Sequence, residues 1–186
     1  ALGEERAASG SEVLESFVIG WDVAAKLGKE CADAVGRGWL NSALWDTIGS
    51  AAAGAKLLGL DQDSTTMALS IAASQAGGIA RQTGTGAHLL EAGTAGRNGL
   101  CAALLAAKGF TGNPTILEGR GGLCDLVAGR QEFQLELGPP FRVMEIGIKK
   151  YPCCYLMQRN IDGVIDLIRE HSVALEEVER IEVHVN

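Results

Sequence analysis

Alanine and glycine hold the contact positions of four helix-length segments in the first half of this chain, and these small side chains constrain the fold more than any other feature. Helices whose facing positions lack bulk can bring their axes close together, so the segments are expected to stack as a dense bundle. Ser9 or Ser11 caps the first. Its apolar positions Val13, Leu14, Phe17, Val18, Trp21, Val23, Ala24 and Leu27 follow helical spacing, and it ends toward Gly28 and Gly36. The second runs from about Ser42 to Leu58 and stops at Gly59. Asp63 or Ser64 caps a third with Met67, Ala68, Ile71 and Ala72 on one face. The fourth is expected from Gly93 to about Lys108, with Leu100, Ala103, Leu104 and Ala107 inward.

The pattern changes after Pro114. Phe141, Val143, Ile146 and Ile148 alternate imperfectly as a strand, Met157 to His171 reads as a helix, and Val178 to Val185 alternates as a second strand. Helix-breaking chemistry concentrates in the Gly112-Asn113-Pro114 turn. The expected fold is therefore mainly α: an all-helical bundle domain over residues 1–112, followed over 113–186 by the beginning of a smaller α+β domain.

Charge and composition narrow the function. The 186 residues carry a formal net charge of −7 and 47% apolar side chains, enough for a core but without the basic stripe of a nucleic-acid surface. The most apolar window, Ala43 to Leu60, is interrupted by Asp46 and Lys56, so it reads as a buried helix, not as a membrane span. The five cysteines include no CxxC pair. They suggest neither a disulfide framework nor a zinc site, and a reducing cytoplasm fits best. The chain begins without Met and stops on a strand pattern, and is expected to be a piece of a longer protein.

Chemistry concentrates in two places. Lys150-Tyr151-Pro152-Cys153-Cys154-Tyr155 packs a cation, two phenols and two thiols around a proline that holds its own φ near −65°. It serves either to present Tyr151 and Lys150 to a ligand or simply to end a strand, with the tyrosines packing and the cysteines filling space. The second place is Thr83-Gly84-Thr85-Gly86-Ala87-His88-Leu89-Leu90-Glu91-Ala92-Gly93. It is not a dinucleotide fingerprint, because Leu89 stands where a third glycine belongs and no strand leads into it. It is a flexible loop, or else a site in which His88 acts as acid or base, Glu91 orients it or takes a proton itself, and Gly93 and Thr94 open a helix whose N–H groups bind a carboxylate beside Arg97.

Several blocks recur in a fixed order: Arg37-Gly38-Trp39, Ala55 to Asp61, Ser70 to Gly78, Gly93 to Gly99, Gly109 to Gly112, Thr115 to Arg120 and the Tyr-Pro-Cys-Cys run. In order and spacing they resemble the MmgE/PrpD family, whose members dehydrate, decarboxylate or epimerise small polycarboxylates. The resemblance implies a large helical domain and a smaller α+β domain, no metal and no cofactor, a homodimer built through the helical domain, and Tyr151 as the active-site tyrosine. It makes Tyr151, His88 and Glu91 the catalytic candidates, and Arg97, Thr94 and Lys150 the substrate-binding ones. The implied function is a cofactor-independent lyase or isomerase on a small di- or tricarboxylate, in which Tyr151 is the favoured general acid. Lys149 is a further available donor.

The chain departs from that pattern where acid/base groups are expected. His88 and Glu91 occupy the positions of a Lys-x-x-His pair, and Leu40 replaces a histidine after the Arg-Gly-aromatic element. The alternative is therefore a family-fold protein without catalysis that serves as a binding or assembly subunit.

Overall fold

A computed structural model describes residues 1–184. The chain divides into two compact units, the first spanning Ala1–Glu145 and the second beginning at Ile146. The described residues form eight α-helices: α1 (Leu2–Glu5), α2 (Gly10–Glu30), α3 (Asp33–Gly36), α4 (Asn41–Leu58), α5 (Gln62–Ala73), α6 (Gly86–Ala106), α7 (Leu123–Ala128) and α8 (Gln158–His171), with short 3-10 turns between them. The mainly α expectation is met.

In the first unit the helices start and stop where local chemistry satisfies their free backbone groups. Ser9 caps α2 through a full capping box: its side chain accepts from Glu12 N, and the Glu12 carboxylate accepts from Ser9 N at 2.7 Å. Gly59, with φ +64, closes α4 in the left-handed region, and Leu60 N donates back to Ala55 O at 3.0 Å, as such caps do. The cap of α5 is Asp61, which accepts from Ser64 N at 2.8 Å; the expected caps, Asp63 and Ser64, lie inside the helix.

The core forms around α4, whose Leu44, Trp45, Ile48, Ala51 and Ala55 are at most 1% exposed. Helix α2 meets it through Gly20, Ala24 and Leu27, while Val13, Leu14, Phe17 and Trp21 remain exposed. The apolar stripe read from the sequence is thus only partly the buried one. Backbone proximity explains the choice: a Cβ on Gly20 would come within 2.6 Å of Gly49 O, and one on Gly49 within 2.5 Å of Gly20 O. Only paired glycines let the two helices cross this closely, and that crossing turns the small face inward. On α6, Ala102, Ala103 and Ala106 are buried, whereas Leu104 and Ala107, expected inward, are exposed.

The Gly112-Asn113-Pro114 turn lies inside the first unit. Ser70 Oγ donates to Asn113 O at 2.8 Å, and Ile116, Leu117, Leu123, Phe133 and Leu135 pack the following segment against the same core. The strand expected from Phe141 to Ile148 does not form. Residues Arg142–Glu145 close a 3-10 turn, and the Gly138 and Arg142 amides donate at 3.1 Å to the Asp22 carboxylate on α2, so they are not offered to a ladder. Asp22 also pairs with Lys26 at 2.8 Å, and Lys26 Nζ donates to Gly138 O at 2.7 Å, which fastens the 138–142 loop to α2.

In the second unit, α8 follows the Tyr-Pro-Cys-Cys segment and ends at Ser172 in the left-handed region. Residues 178–184 of the second expected strand are irregular, and Val185 lies outside the described residues. A lone alternating segment has no ladder to join, which is why its pattern does not become a strand here.

Candidate active site

The first polar group sits on α6. Thr85 is the N-cap, so the helix opens seven residues earlier than Gly93. This overturns the anion site expected at Gly93 and Thr94: their N–H groups lie within the helix, and Thr94 Oγ1 donates to Glu91 O at 3.0 Å. The cause is local. Glycine lowers helix propensity but does not end a helix whose neighbours Leu89, Leu90, Ala92 and Ala95 favour it. Arg97 is accordingly in mid-helix and exposed, with Nε and Nη2 donating to Asn98 Oδ1 at 3.2 and 3.1 Å. Among the described residues no carboxylate lies within ion-pair distance of it.

The helical register also places His88 and Glu91 on one face, three residues apart. His88 Nδ1 and Glu91 Oε2 face each other at 4.0 Å, beyond hydrogen-bond length. Both atoms are buried and, among the described residues, neither has a hydrogen-bond partner. The other Glu91 oxygen accepts from Ile79 N at 2.8 Å. Ile79 bridges to Trp39, Leu40 N donates to Gly78 O, and Ala80 N donates to Gly38 O. Glu91 thereby locks the 78–80 loop that faces the Arg-Gly-Trp-Leu segment, so Leu40 occupies a backbone position beside the loop Glu91 holds. A cavity of about 80 Å³ is lined there by Thr47, Gln75, Gly78, Glu91, Thr94 and Asn98. Small-molecule pockets span several hundred Å³, so this volume admits one polar group of a ligand, not a whole tricarboxylate.

The second polar group lies in the second unit, around Tyr151. Its hydroxyl donates to Asp162 Oδ1 at 2.6 Å, and Lys150 Nζ donates to the same oxygen at 2.6 Å. Gln158, buried on the same helix face as Asp162, holds the tyrosine's backbone: Tyr151 N donates to Gln158 Oε1 at 2.9 Å, and Gln158 Nε2 donates to Tyr151 O at 3.0 Å. Asp162 holds the phenol's proton in place, so the Tyr151 pKa is raised above its ordinary value although the Lys150 ammonium opposes this. Lys150 is raised, mainly by Asp162, and Asp162 is lowered, mainly by Lys150. In this arrangement Tyr151 is a strong hydrogen-bond donor whose own ionisation is disfavoured. Tyr155 is 68% exposed and Cys154 is exposed.

The structure therefore brings His88 to Glu91 and Lys150 to Tyr151, while Arg97 turns to the amide of its neighbour. The sequence reading missed Asp162 and Gln158. Their signal was present: two polar side chains four residues apart on an amphipathic helix immediately after the Tyr-Pro-Cys-Cys run share one face toward it. Among the described residues, no three His, Cys, Asp or Glu side chains group as metal ligands, and no helix is long and apolar enough to cross a membrane.

A glycine-packed helical domain that sets an unpartnered imidazole–carboxylate pair into one helix has the parts proton-transfer chemistry uses. The chain belongs to the MmgE/PrpD family: the profile of the MmgE/PrpD N-terminal domain matches residues 1–136. It is 32% identical over 176 residues to a cis-aconitate decarboxylase of Aspergillus terreus, covering 88% of this chain and 36% of that protein. It is 31% identical over 180 residues to the cis-aconitate decarboxylase of Homo sapiens, covering 89% of this chain and 36% of that protein. The chain thus spans little more than a third of the length of these curated relatives.

Proposed function

We propose that the protein containing this chain is a cofactor-independent lyase or isomerase acting on a small di- or tricarboxylate by moving a proton at a carbon beside a carboxylate. The observation that carries this reading is the buried, unpartnered pair of His88 Nδ1 and Glu91 Oε2, 4.0 Å apart, at the positions where the family resemblance expects acid/base residues. Buried polar atoms are seldom left unsatisfied in a purely structural role, so a pair of them facing each other is suited to a ligand group or a transferring proton. Relatives that decarboxylate cis-aconitate make a tricarboxylate the first candidate substrate.

The roles follow from residue chemistry. Abstraction of the proton leaves an electron pair on carbon next to a carboxylate, and that charge needs preorganised donors. Glu91 or His88 takes the proton. In the first unit Arg97 is the candidate donor to a substrate carboxylate; in the second, Lys150 is the candidate donor and Tyr151 the candidate acid toward the carbon or a leaving oxygen. Reprotonation of the same carbon gives epimerisation, and loss of a β-hydroxyl as water gives dehydration. In decarboxylation a C–C bond breaks, CO₂ leaves, and its electron pair on carbon accepts the proton. A homodimer and a cytoplasmic setting belong to the same proposal; the exposed Phe17 and Trp21 of α2 offer apolar surface for self-association.

The test is a panel of small carboxylates, cis-aconitate included, given to the full-length protein in D₂O and followed by proton NMR. Deuterium entry beside a carboxylate is expected, with turnover in His88→Gln, Glu91→Gln and Tyr151→Phe lowered by a factor on the order of 10² to 10⁴ while each stays folded. A folded full-length protein that neither turns over nor exchanges any member of the panel would instead be a binding or assembly subunit.

A further inference from the structure

We infer that Asp162 is a positioning residue: its carboxylate sets the Tyr151 hydroxyl and the Lys150 ammonium side by side and holds the phenol's single proton until a substrate group takes that hydrogen bond over from it. The inference rests on the proposed reading that Tyr151 takes part in the chemistry. It starts from the convergence of two donors on a single oxygen: Tyr151 Oη and Lys150 Nζ each reach Asp162 Oδ1 at 2.6 Å. Charge-assisted bonds of this length are directional, and two of them on one acceptor fix the donors relative to each other. Neither side chain could hold that geometry unaided, since a lysine stem has four rotatable bonds and the ammonium here is exposed.

The helix completes the arrangement. Asp162 and Gln158 are four residues apart on α8 and share a face. Gln158 grips the Tyr151 backbone through both its N–H and its C=O, while Asp162 grips the phenol at the far end of the same residue. One helix face therefore fixes both ends of the tyrosine, which leaves the ring little freedom to turn. The charged groups facing the phenol are Asp162 on α8 and Lys150 beside it. Their effects oppose, with Asp162 keeping the hydroxyl protonated and Lys150 easing its ionisation. A tyrosine held in this way keeps its proton as a donor at neutral and mildly alkaline pH.

Asp162→Asn keeps the shape and removes the charge. Two readouts separate the inference from the functional reading beneath it. The first is the tyrosinate absorbance of Tyr151, taken in the full-length protein as the difference between each variant and the same protein carrying Tyr151→Phe. Its midpoint should fall in Asp162→Asn and stay near the parent in Asp162→Glu. The second is kinetic: kcat should fall on the order of 10²-fold in Asp162→Asn with KM changed far less, because misplacement of a reacting group by a fraction of its contact distance has that scale of effect. The alkaline limb of the kcat profile should move to lower pH with the titration, and Asp162→Glu should recover part of the rate. An unmoved titration overturns the inference. So does a moved titration with parental kcat in a protein whose Tyr151→Phe variant is impaired. If Tyr151→Phe itself turns over like the parent, the functional reading of Tyr151 fails instead, and the inference falls with it. Should Asp162→Asn not fold, the same two readouts are taken on Asp162→Glu and on Lys150→Gln: a parental kcat in both overturns the inference, and a graded loss supports it.

Discussion

Two carboxylate–ammonium pairs, one in each unit, show how differently the two parts of this molecule are built. Asp22 and Lys26 sit on α2 with side chains 3% and 12% exposed, and the pair is completed by backbone groups of Gly138 and Arg142. Asp162 and Lys150 make a shorter contact, 2.6 Å against 2.8 Å, with side chains 39% and 65% exposed, and the third member of their group is a phenol. The first pair closes a loop over a close-packed core, so its surroundings are fixed by burial. The second is held by hydrogen bonds on one helix face, with little packed against it. Removing one partner of a buried pair is costly because the other is left as a desolvated charge, whereas a solvent-exposed pair chiefly fixes geometry.

The sharpest way to break the comparison is Asp22→Ala. It leaves Lys26 in a site that excludes most water and frees the Gly138 and Arg142 amides, so the expected loss is about 3–5 kcal/mol in chemical denaturation. The loss is pH dependent. Burial alone would raise the Asp22 pKa, but the Lys26 ammonium and the two amides outweigh it and the net shift is downward. A lowered folded-state pKa gives stability that is present above the unfolded value and lost as pH falls through the folded one. The gap between parent and variant should therefore hold at neutral pH and narrow below about pH 4. A gap that stays constant down to the acid limit would mean the loop, not the charge, sets the effect.

A smaller effect of opposite sign sharpens the same contrast inside the first unit. Asp46 on α4 borders the groove formed by Trp21 and Ala24 of α2, and burial raises its pKa to about 6. Raised acids work the other way: the folded state favours the protonated form, so stability is greatest at low pH and declines as pH rises from the unfolded value through about 6. Asp46→Asn is expected to stabilise by about 1–2 kcal/mol at pH above 7, on the scale of 1.36 kcal/mol per unit shifted less what partial hydration recovers, and to have no effect near pH 4. Melting temperatures across that range check it, and a destabilised variant at neutral pH would show that Asp46 has a cation partner.

How much could be read from the residues follows the same division. Helix existence in the first unit was legible because it depends on local signals: Ser9 stands as a capping residue before an apolar run of helical spacing, and Gly59 ends α4. Which face turns inward was less legible, since Phe17 and Trp21 look like core residues until the Gly20–Gly49 crossing is known. The start of α6 lies at Gly86 and not at the expected Gly93, because the helix formers around Gly93 outweigh its low propensity. The strand expected after Pro140 was misread because nothing in a local pattern shows that Asp22, more than a hundred residues earlier, takes the amides. Of the candidate site, the family blocks marked His88, Glu91 and Tyr151, while Asp162 escaped notice because its role depends on where α8 lays its polar face.

The smallest effect expected is also the one that most directly separates the two pairs. Lys150→Gln removes the ammonium from the exposed cluster but leaves a side chain of similar length that can still donate to Asp162. Unlike Lys26, Lys150 gives up little hydration in the folded protein, so its removal strands no desolvated partner, and the melting temperature should match the parent across neutral and mildly alkaline pH. The phenol should nonetheless respond. With Asp162 still holding its proton and Lys150 no longer easing its loss, the Tyr151 pKa should rise further, the reverse of what Asp162→Asn does. Difference titration of tyrosinate against the Tyr151→Phe protein reads that shift, and a thermal scan of the same samples reads stability. A drop in melting temperature comparable to that of Asp22→Ala would show that the second unit depends on its ion pair for folding as the first does, and the contrast between buried support and exposed positioning would not hold.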